Sequence, residues 1–195
     1  MALKNSYTTS DRLEWNTATN LVRRLFRDKE YRMSLFIGCG IFFGLRVSDL
    51  KQLTWRMLLE SESFDLIETK TKKRRTITVN KLFQGHARDC FEALKIDDMD
   101  ALCFISQKGT VYSTQRINVR LKEIKEKYGL KIEHFSTHSL RKTFGYQVYR
   151  TSGDNAEIAL VKLMELFNHT NVAITKRYLG IRQEELAECY SMLSF

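Results

Sequence analysis

The run Ser34-Leu35-Phe36-Ile37-Gly38-Cys39-Gly40-Ile41-Phe42-Phe43-Gly44-Leu45 is apolar on every side of a helix and stops at Arg46. A helix that is hydrophobic all round belongs in the middle of a domain, so the pattern predicts a central buried helix over 34–45. Its glycines allow other helices to approach closely. The apolar stretch Leu35 to Leu45 is far too short to cross a bilayer, and no signal peptide precedes it. Upstream, Leu21, Val22, Leu25 and Phe26 recur at helical spacing. They predict a helix from about Ser10 to Tyr31, with Ser10 as N-cap and Asp11 and Glu14 in its first turn. Downstream, Phe64–Glu68 and Arg75–Val79 carry β-branched residues and flank the basic turn Lys70-Thr71-Lys72-Lys73-Arg74, which reads as a β-hairpin. Helical patterns then return over about Asn80–Leu94, Ser113–Tyr128, Thr137–Thr151, Asp154–Phe167 and Arg182–Leu193, and Leu102–Ile105 reads as a strand or a buried connector. The expected fold is mainly α with a small antiparallel β-hairpin.

The chain has 195 residues, the size of one domain or a lean two-domain protein. A hydrophobic share of 43% supplies a core, and 28% charged residues leave an ordinary solvated surface. Lys and Arg number 32 against 23 Asp and Glu, a net charge of +9, which favours a polyanionic partner, nucleic acid first and anionic lipid second. Proline is absent, in keeping with helix interiors that cannot lose amide donors. Cys39, Cys90, Cys103 and Cys189 include no Cys-x-x-Cys pair. They read as reduced, mostly buried thiols of a cytoplasmic protein.

Metal-dependent hydrolysis is hard to build from these residues. His86, His134, His138 and His169 form no His-Glu-x-x-His. His134 and His138 are four apart, but the helix entering at Thr137 would spoil a shared face. Gly38-x-Gly40 lacks the third glycine and the Lys-Ser/Thr of a phosphate-cradling loop, so no nucleotide cofactor is expected. His138-Ser139-Leu140-Arg141, by contrast, puts an imidazole and a guanidinium on one face near a helix N-terminus, a natural phosphate site. Arg46 follows the buried run, and Asp49, one turn on, is placed to orient its guanidinium.

These boxes carry a resemblance. Gly44-Leu45-Arg46-Val47-Ser48-Asp49-Leu50-Lys51-Gln52-Leu53 resembles the first signature box of the tyrosine recombinase (phage integrase) family, and His138-Ser139-Leu140-Arg141 its His-x-x-Arg box. Phe167-Asn168-His169-Thr170 with Thr175-Lys176-Arg177-Tyr178 is similar to the box that ends in the nucleophilic tyrosine. The family's hairpin lysine falls on Lys70, with Lys72 and Lys73 as rivals in the same turn. Asn168 stands where the family usually has glycine, and the hairpin turn lacks its common glycine.

The resemblance implies the catalytic-domain fold of that family over 13–195, with 1–12 as a leader or the end of an interdomain linker and no N-terminal core-binding domain in this chain. The chain then reads either as a catalytic-domain fragment or as a naturally single-domain member. The implied activity is site-specific DNA recombination and integration, as in mobile elements, through a 3′-phosphotyrosyl intermediate and without cofactor or metal. Tyr178 would attack the phosphate, Arg46 and Arg141 would clamp its oxygens, and Lys70 would protonate the leaving 5′-oxygen. His138 would move a proton near the nucleophile, and His169 would hydrogen-bond the phosphate. Lys72, Lys73, Arg74, Lys142 and Lys176 are candidates for binding the DNA backbone. The implied partner is double-stranded DNA, bound by a homo-oligomer (a tetrameric synapse) whose free chain can be a monomer, away from any membrane. Competing readings are a DNA-binding module that has lost cleavage and a type IB topoisomerase.

Overall fold

Alternation of buried and exposed positions decides where each segment of this chain lies. A computed structural model describes residues 11–106, 109–181 and 190–191. It falls into two units, one ending at Thr143 and one beginning at Phe144.

In the first unit, α1 (Trp15–Arg27) buries Ala18, Leu21, Val22 and Leu25, the i, i+3, i+4, i+7 stripe of an amphipathic helix. It is shorter than the expected 10–31. Glu14, in extended backbone, is its N-cap, and Ser10 lies outside the described residues. Asp11 is therefore not in a first helical turn; its carboxylate accepts the N–H groups of Glu133 (3.2 Å) and His134 (3.4 Å) instead. Leu13 is fastened on both backbone groups by the Thr143 hydroxyl, at 3.0 and 3.2 Å. The far end of α1 closes on Lys29, whose φ of 62° reverses the chain.

Helix α2 (Tyr31–Phe43) is the central helix the apolar run predicts, starting one turn early and buried from Met33 to Ile41. Ser34 sits in this core because its hydroxyl donates to the Val22 carbonyl at 2.7 Å. Gly44, at φ 58°, ends the helix in the left-handed conformation that glycine adopts most readily. Gly40 is required by packing: a Cβ there would lie 2.8 Å from Leu140 Cβ, so α7 (Thr137–Thr151) reaches α2 only because the methyl is missing. Gly40→Ala is expected to destabilise the fold by about 1–3 kcal/mol, the usual cost of overpacking. Urea denaturation checks this, and an unchanged midpoint would count against the packing account.

Two short helices, α3 (Val47–Leu50) and α4 (Trp55–Leu59), follow where no element was expected. Strands β1 (Ser63–Ile67) and β2 (Arg74–Thr78) pair antiparallel from Ser63↔Thr78 to Ile67↔Arg74, as the hairpin reading anticipates. Phe64, Leu66 and Ile77 face the core, while Asp65 faces out and holds Arg74 (2.5 Å) and Thr76 (2.7 Å). The turn has no glycine, and Lys72 takes the left-handed position itself, at φ 58°. Helix α5 (Lys81–Ala93) starts under the Asn80 side chain, which accepts from the Leu82 and Phe83 N–H groups. Leu102–Ile105 is a buried connector with single bridges at Leu102 and Ile105, and α6 (Thr114–Tyr128) is capped by Ser113. α7 spans the expected residues, and its first N–H finds an acceptor on another helix, Asn118 Oδ1 of α6 at 3.2 Å.

The second unit holds the last turns of α7, a 3-10 turn (Gly153–Asn155), α8 (Ala156–Phe167) and α9 (Val172–Leu179). Its core is Leu160, Leu163, Phe167, Leu179 and Ile181. Helix α9 was not expected from the sequence, and of the helix expected over Arg182–Leu193 only residues 190–191 are described.

Candidate active site

Arg46 occupies the N-cap position of α3, directly after the turn that ends α2. Its guanidinium pairs with Glu68 Oε2 at 3.0 Å; Arg46 is 20% exposed and Glu68 only 1%. Arg75 reaches the same carboxylate at 3.7 Å and donates to the Phe43 carbonyl at 3.2 Å. Arg141, on α7, is buried and donates to the Gly44 carbonyl. The two arginines named from sequence are thus built around one corner of backbone, residues 44–46.

The expected partner of Arg46 needs correction. Asp49, fully buried, accepts from the Thr69 N–H (2.8 Å) and the Ser48 hydroxyl (3.2 Å), so it anchors the foot of the hairpin turn. The guanidinium goes to Glu68, a residue the sequence reading passed over. A lone carboxylate at the head of a run of basic residues was the available signal.

His138 lies one turn before Arg141 with its side chain at the surface and its N–H donating to Ser136 Oγ at 3.2 Å. Crowding by protein lowers the pKa of its imidazole, and the charges of Arg141, Lys142, Arg46 and Lys70 lower it further. One imidazole therefore feels Arg46, Lys70 and Arg141 together, and the first unit collects four of the six expected catalytic residues in a single positive field. Lys70 is exposed on the hairpin turn. His134 precedes α7, so it shares no helical face with His138. Among the described residues, no group of three or more His, Cys, Asp or Glu is arranged to hold a metal ion.

The other two expected catalytic residues meet in the second unit. Asn168 ends α8 in the left-handed conformation, φ 54°, which asparagine tolerates better than most residues and which explains why it can replace glycine there. His169 then turns back, its N–H bonded to the Met164 carbonyl at 3.0 Å and its Nδ1 3.0 Å from the Thr175 hydroxyl. Its ring stands edge-on to Tyr178 with centroids 5.3 Å apart, and Phe167 lies 5.5 Å from both rings. Tyr178 rides on α9, whose start is capped by Asn171 Oδ1 accepting from the Ile174 N–H.

The candidate DNA-backbone contacts differ among themselves. Lys72 and Lys73 are exposed beside Lys70. Arg74 is engaged by Asp65, and Lys176 by Glu157 at 3.1 Å. Lys142 is half-buried, and that burial lowers its pKa. Among the described residues the thiols offer no rival nucleophile: burial pushes Cys90 up to about 12, and Cys39 and Cys103 are raised by burial as well.

His86, which lies 3.0 Å from Ser34 Oγ, is held below the ordinary imidazole range by burial, and His138 lies below it as well, in its crowded positive field. The unfolded chain therefore takes up protons first, so stability is full above about pH 6.5 and falls as acid is added. Thermal unfolding at pH 7.5 and 5.5 should show this loss, and His86→Gln should reduce it. Identical pH profiles for the two proteins would contradict the assignment.

The family model described as "Phage integrase family" matches residues 13–185. The chain belongs to this family. Among its relatives, the probable integrase/recombinase YoeC of Bacillus subtilis is 31% identical over 173 residues, which cover 88% of this chain and 90% of that protein. The tyrosine recombinase XerC of Xanthomonas campestris pv. campestris is 27% identical over 150 residues, 75% of this chain but only 44% of XerC. Members of this phage integrase family are DNA strand-transferring enzymes, and the chain spans about half the length of such longer relatives. Its fold is that of the solved recombinases. XerA superposes with a TM-score of 0.71 at 21% identity, covering 93% of this chain and 64% of XerA. XerH bound to its palindromic difH substrate, in a post-cleavage complex, superposes with 0.68 at 18% identity, covering 93% and 53%.

Proposed function

We propose that this phage integrase chain is the catalytic domain of a site-specific DNA recombinase. In this reading residues 13–195 form that domain and 1–12 lead into it. Tyr178 Oη attacks a scissile phosphorus, the new P–O bond forms as the bond to the 5′-oxygen breaks, and the chain is left as a 3′-phosphotyrosyl ester. Arg46 and Arg141 neutralise the non-bridging oxygens, where negative charge grows in the transition state. Lys70 donates a proton to the leaving 5′-oxygen, and His138 exchanges the proton of the nucleophile. His169 hydrogen-bonds the phosphate. The ester conserves the energy of the phosphodiester, so a free 5′-hydroxyl of another strand reverses the step without ATP.

The observation that carries this reading is the corner at residues 44–46, where Arg141 is bonded to the backbone beside Arg46 and His138 lies in the field of both. Two planar guanidiniums there can do the charge neutralisation that a divalent ion does elsewhere. Double-stranded DNA is the partner, with Lys72 and Lys73 on its backbone beside Lys70 and with Arg74, Lys142 and Lys176 as further backbone contacts. A tetrameric synapse of this chain is the exchanging species. No helix among the described residues is long and apolar enough to cross a membrane, and a cytoplasmic site of action accords with the substrate.

Incubation with a pool of nicked duplexes in excess chelator, followed by detergent denaturation, tests the proposal. A protein–DNA adduct with a free 5′-hydroxyl on the released strand is expected. Binding without any adduct would favour a DNA-binding module instead. Within the hairpin, Lys70→Ala is expected to slow cleavage by about 10²–10³-fold, the scale of a lost general acid. A sulfur at the 5′-bridging position leaves without protonation, so it should remove that deficit. Lys72→Ala or Lys73→Ala behaving this way would move the role to that residue.

A further inference from the structure

Glu68 stands at the foot of the hairpin turn, one residue beyond β1, and it is 1% exposed. A carboxylate buried this deeply must be matched by charge and hydrogen bonds or it would not stay ionised. Charge and hydrogen bonds are supplied: at Oε2, Arg46 Nη1 lies at 3.0 Å and the Thr71 hydroxyl donates at 2.6 Å, and Arg75 stands 3.7 Å from Oε1. Burial raises its pKa, but Thr71 and the two guanidiniums outweigh burial, and the carboxyl stays below its ordinary range. The backbone of the same residue closes the turn, donating to the Lys73 carbonyl and accepting from the Lys72 N–H, both at 2.9 Å.

Arg46 is a long side chain surrounded by like charge. Arg141, Lys142 and Lys70 act on the same imidazole that Arg46 does, and Arg75 shares its carboxylate. Repulsion among these groups drives a partly exposed guanidinium outward unless a negative charge holds it from beneath. Glu68 supplies that charge from the turn that carries Lys70, so one side chain links the two elements.

We infer that Glu68 is a positioning residue for DNA cleavage: its buried carboxylate holds the Arg46 guanidinium toward the scissile phosphate and ties it to the turn bearing Lys70. This inference rests on the phosphate-clamping role proposed above for Arg46. Glu68 does not touch the substrate. It acts through Arg46, and its contribution is therefore largest when the phosphate carries a negative charge.

Single-turnover cleavage separates this role from a merely structural one. Glu68→Gln keeps the size of the side chain and removes its charge, while Glu68→Asp keeps the charge and shortens the reach. On an ordinary duplex Glu68→Gln is expected to react about 10²-fold more slowly, the scale of a small misplacement of a reacting group, and Glu68→Asp should recover part of that loss. On a duplex with an uncharged methylphosphonate at the scissile position, Arg46 has no anion to neutralise, and Glu68→Gln should approach the rate of the unaltered protein. An equal deficit on both duplexes, or no deficit on the ordinary one, overturns the inference. Failure of the cleavage reading itself looks different, because the unaltered protein would then form no adduct with either duplex. In that event the crystal structure of Glu68→Gln decides. A displaced Arg46 guanidinium upholds the positioning role, and an unmoved one overturns it.

Discussion

Tyr178→Phe is expected to abolish covalent attachment of the chain to DNA while leaving the fold and DNA binding intact. The substitution removes one oxygen from a half-buried ring and leaves its ring contacts in place: Phe167 and His169 both meet it edge-on, at 5.5 and 5.3 Å. A phenyl ring keeps those contacts, so the thermal midpoint should move little. Attack on phosphorus, however, needs that oxygen, and among the described residues burial keeps the thiols of Cys39, Cys90 and Cys103 protonated. Adducts are counted on denaturing gels and binding by fluorescence anisotropy. An adduct that persists at the unaltered level would remove Tyr178 from the reaction.

The second large effect is expected at Arg141. Arg141→Gln should lower the cleavage rate by about 10²–10³-fold, the scale of a donor lost from a preorganised oxyanion site. It should also cost stability, because the Gly44 carbonyl loses the guanidinium that now donates to it, and an orphaned buried acceptor costs about 1–3 kcal/mol. Arg141→Lys restores the charge but not the planar fork, and should recover binding more than rate. Stopped cleavage reactions on a nicked duplex, run beside circular dichroism melts, measure both quantities. Full activity in a folded Arg141→Gln protein would show that the corner at residues 44–46 is not where the phosphate is held.

Much of this architecture is legible in the residues because long periodic patterns report their own burial. The expected bounds of α7, Thr137–Thr151, are those observed, and the hairpin strands lie within one residue of expectation. Helices α3 and α4 are too short for a 3.6-residue period to show, and what marks them is burial seen only in the fold, of Asp49 and Leu50 in α3 and of Trp55, Leu58 and Leu59 in α4. The early end of α1 at Arg27 was hidden because a left-handed lysine, Lys29, makes the turn that glycine would have announced. Lys72 takes the same conformation in the hairpin turn and Asn168 at the end of α8, yet the strands and the helical period on either side made both ends legible.

The candidate site divides along similar lines. Arg46, His138 and Arg141 were legible as spaced motifs, and the structure brings them together in the first unit, as it brings His169 to Tyr178 in the second. What holds them was not legible. Asp49 looked like the partner of Arg46 because it lies one helical turn away, whereas Glu68 reaches the guanidinium across a pairing that only the folded hairpin creates. Thr175 beside His169 and Asn118 at the start of α7 are likewise contacts between segments, invisible to any local reading.

The central claim is that Tyr178 is the residue that becomes joined to DNA. Trapping the adduct on a nicked duplex, digesting both protein and DNA, and mapping the residual nucleotide by tandem mass spectrometry tests it most directly. A nucleotide 3′-phosphate on Tyr178 is expected. Attachment at Tyr146, Tyr149 or any other side chain would contradict it.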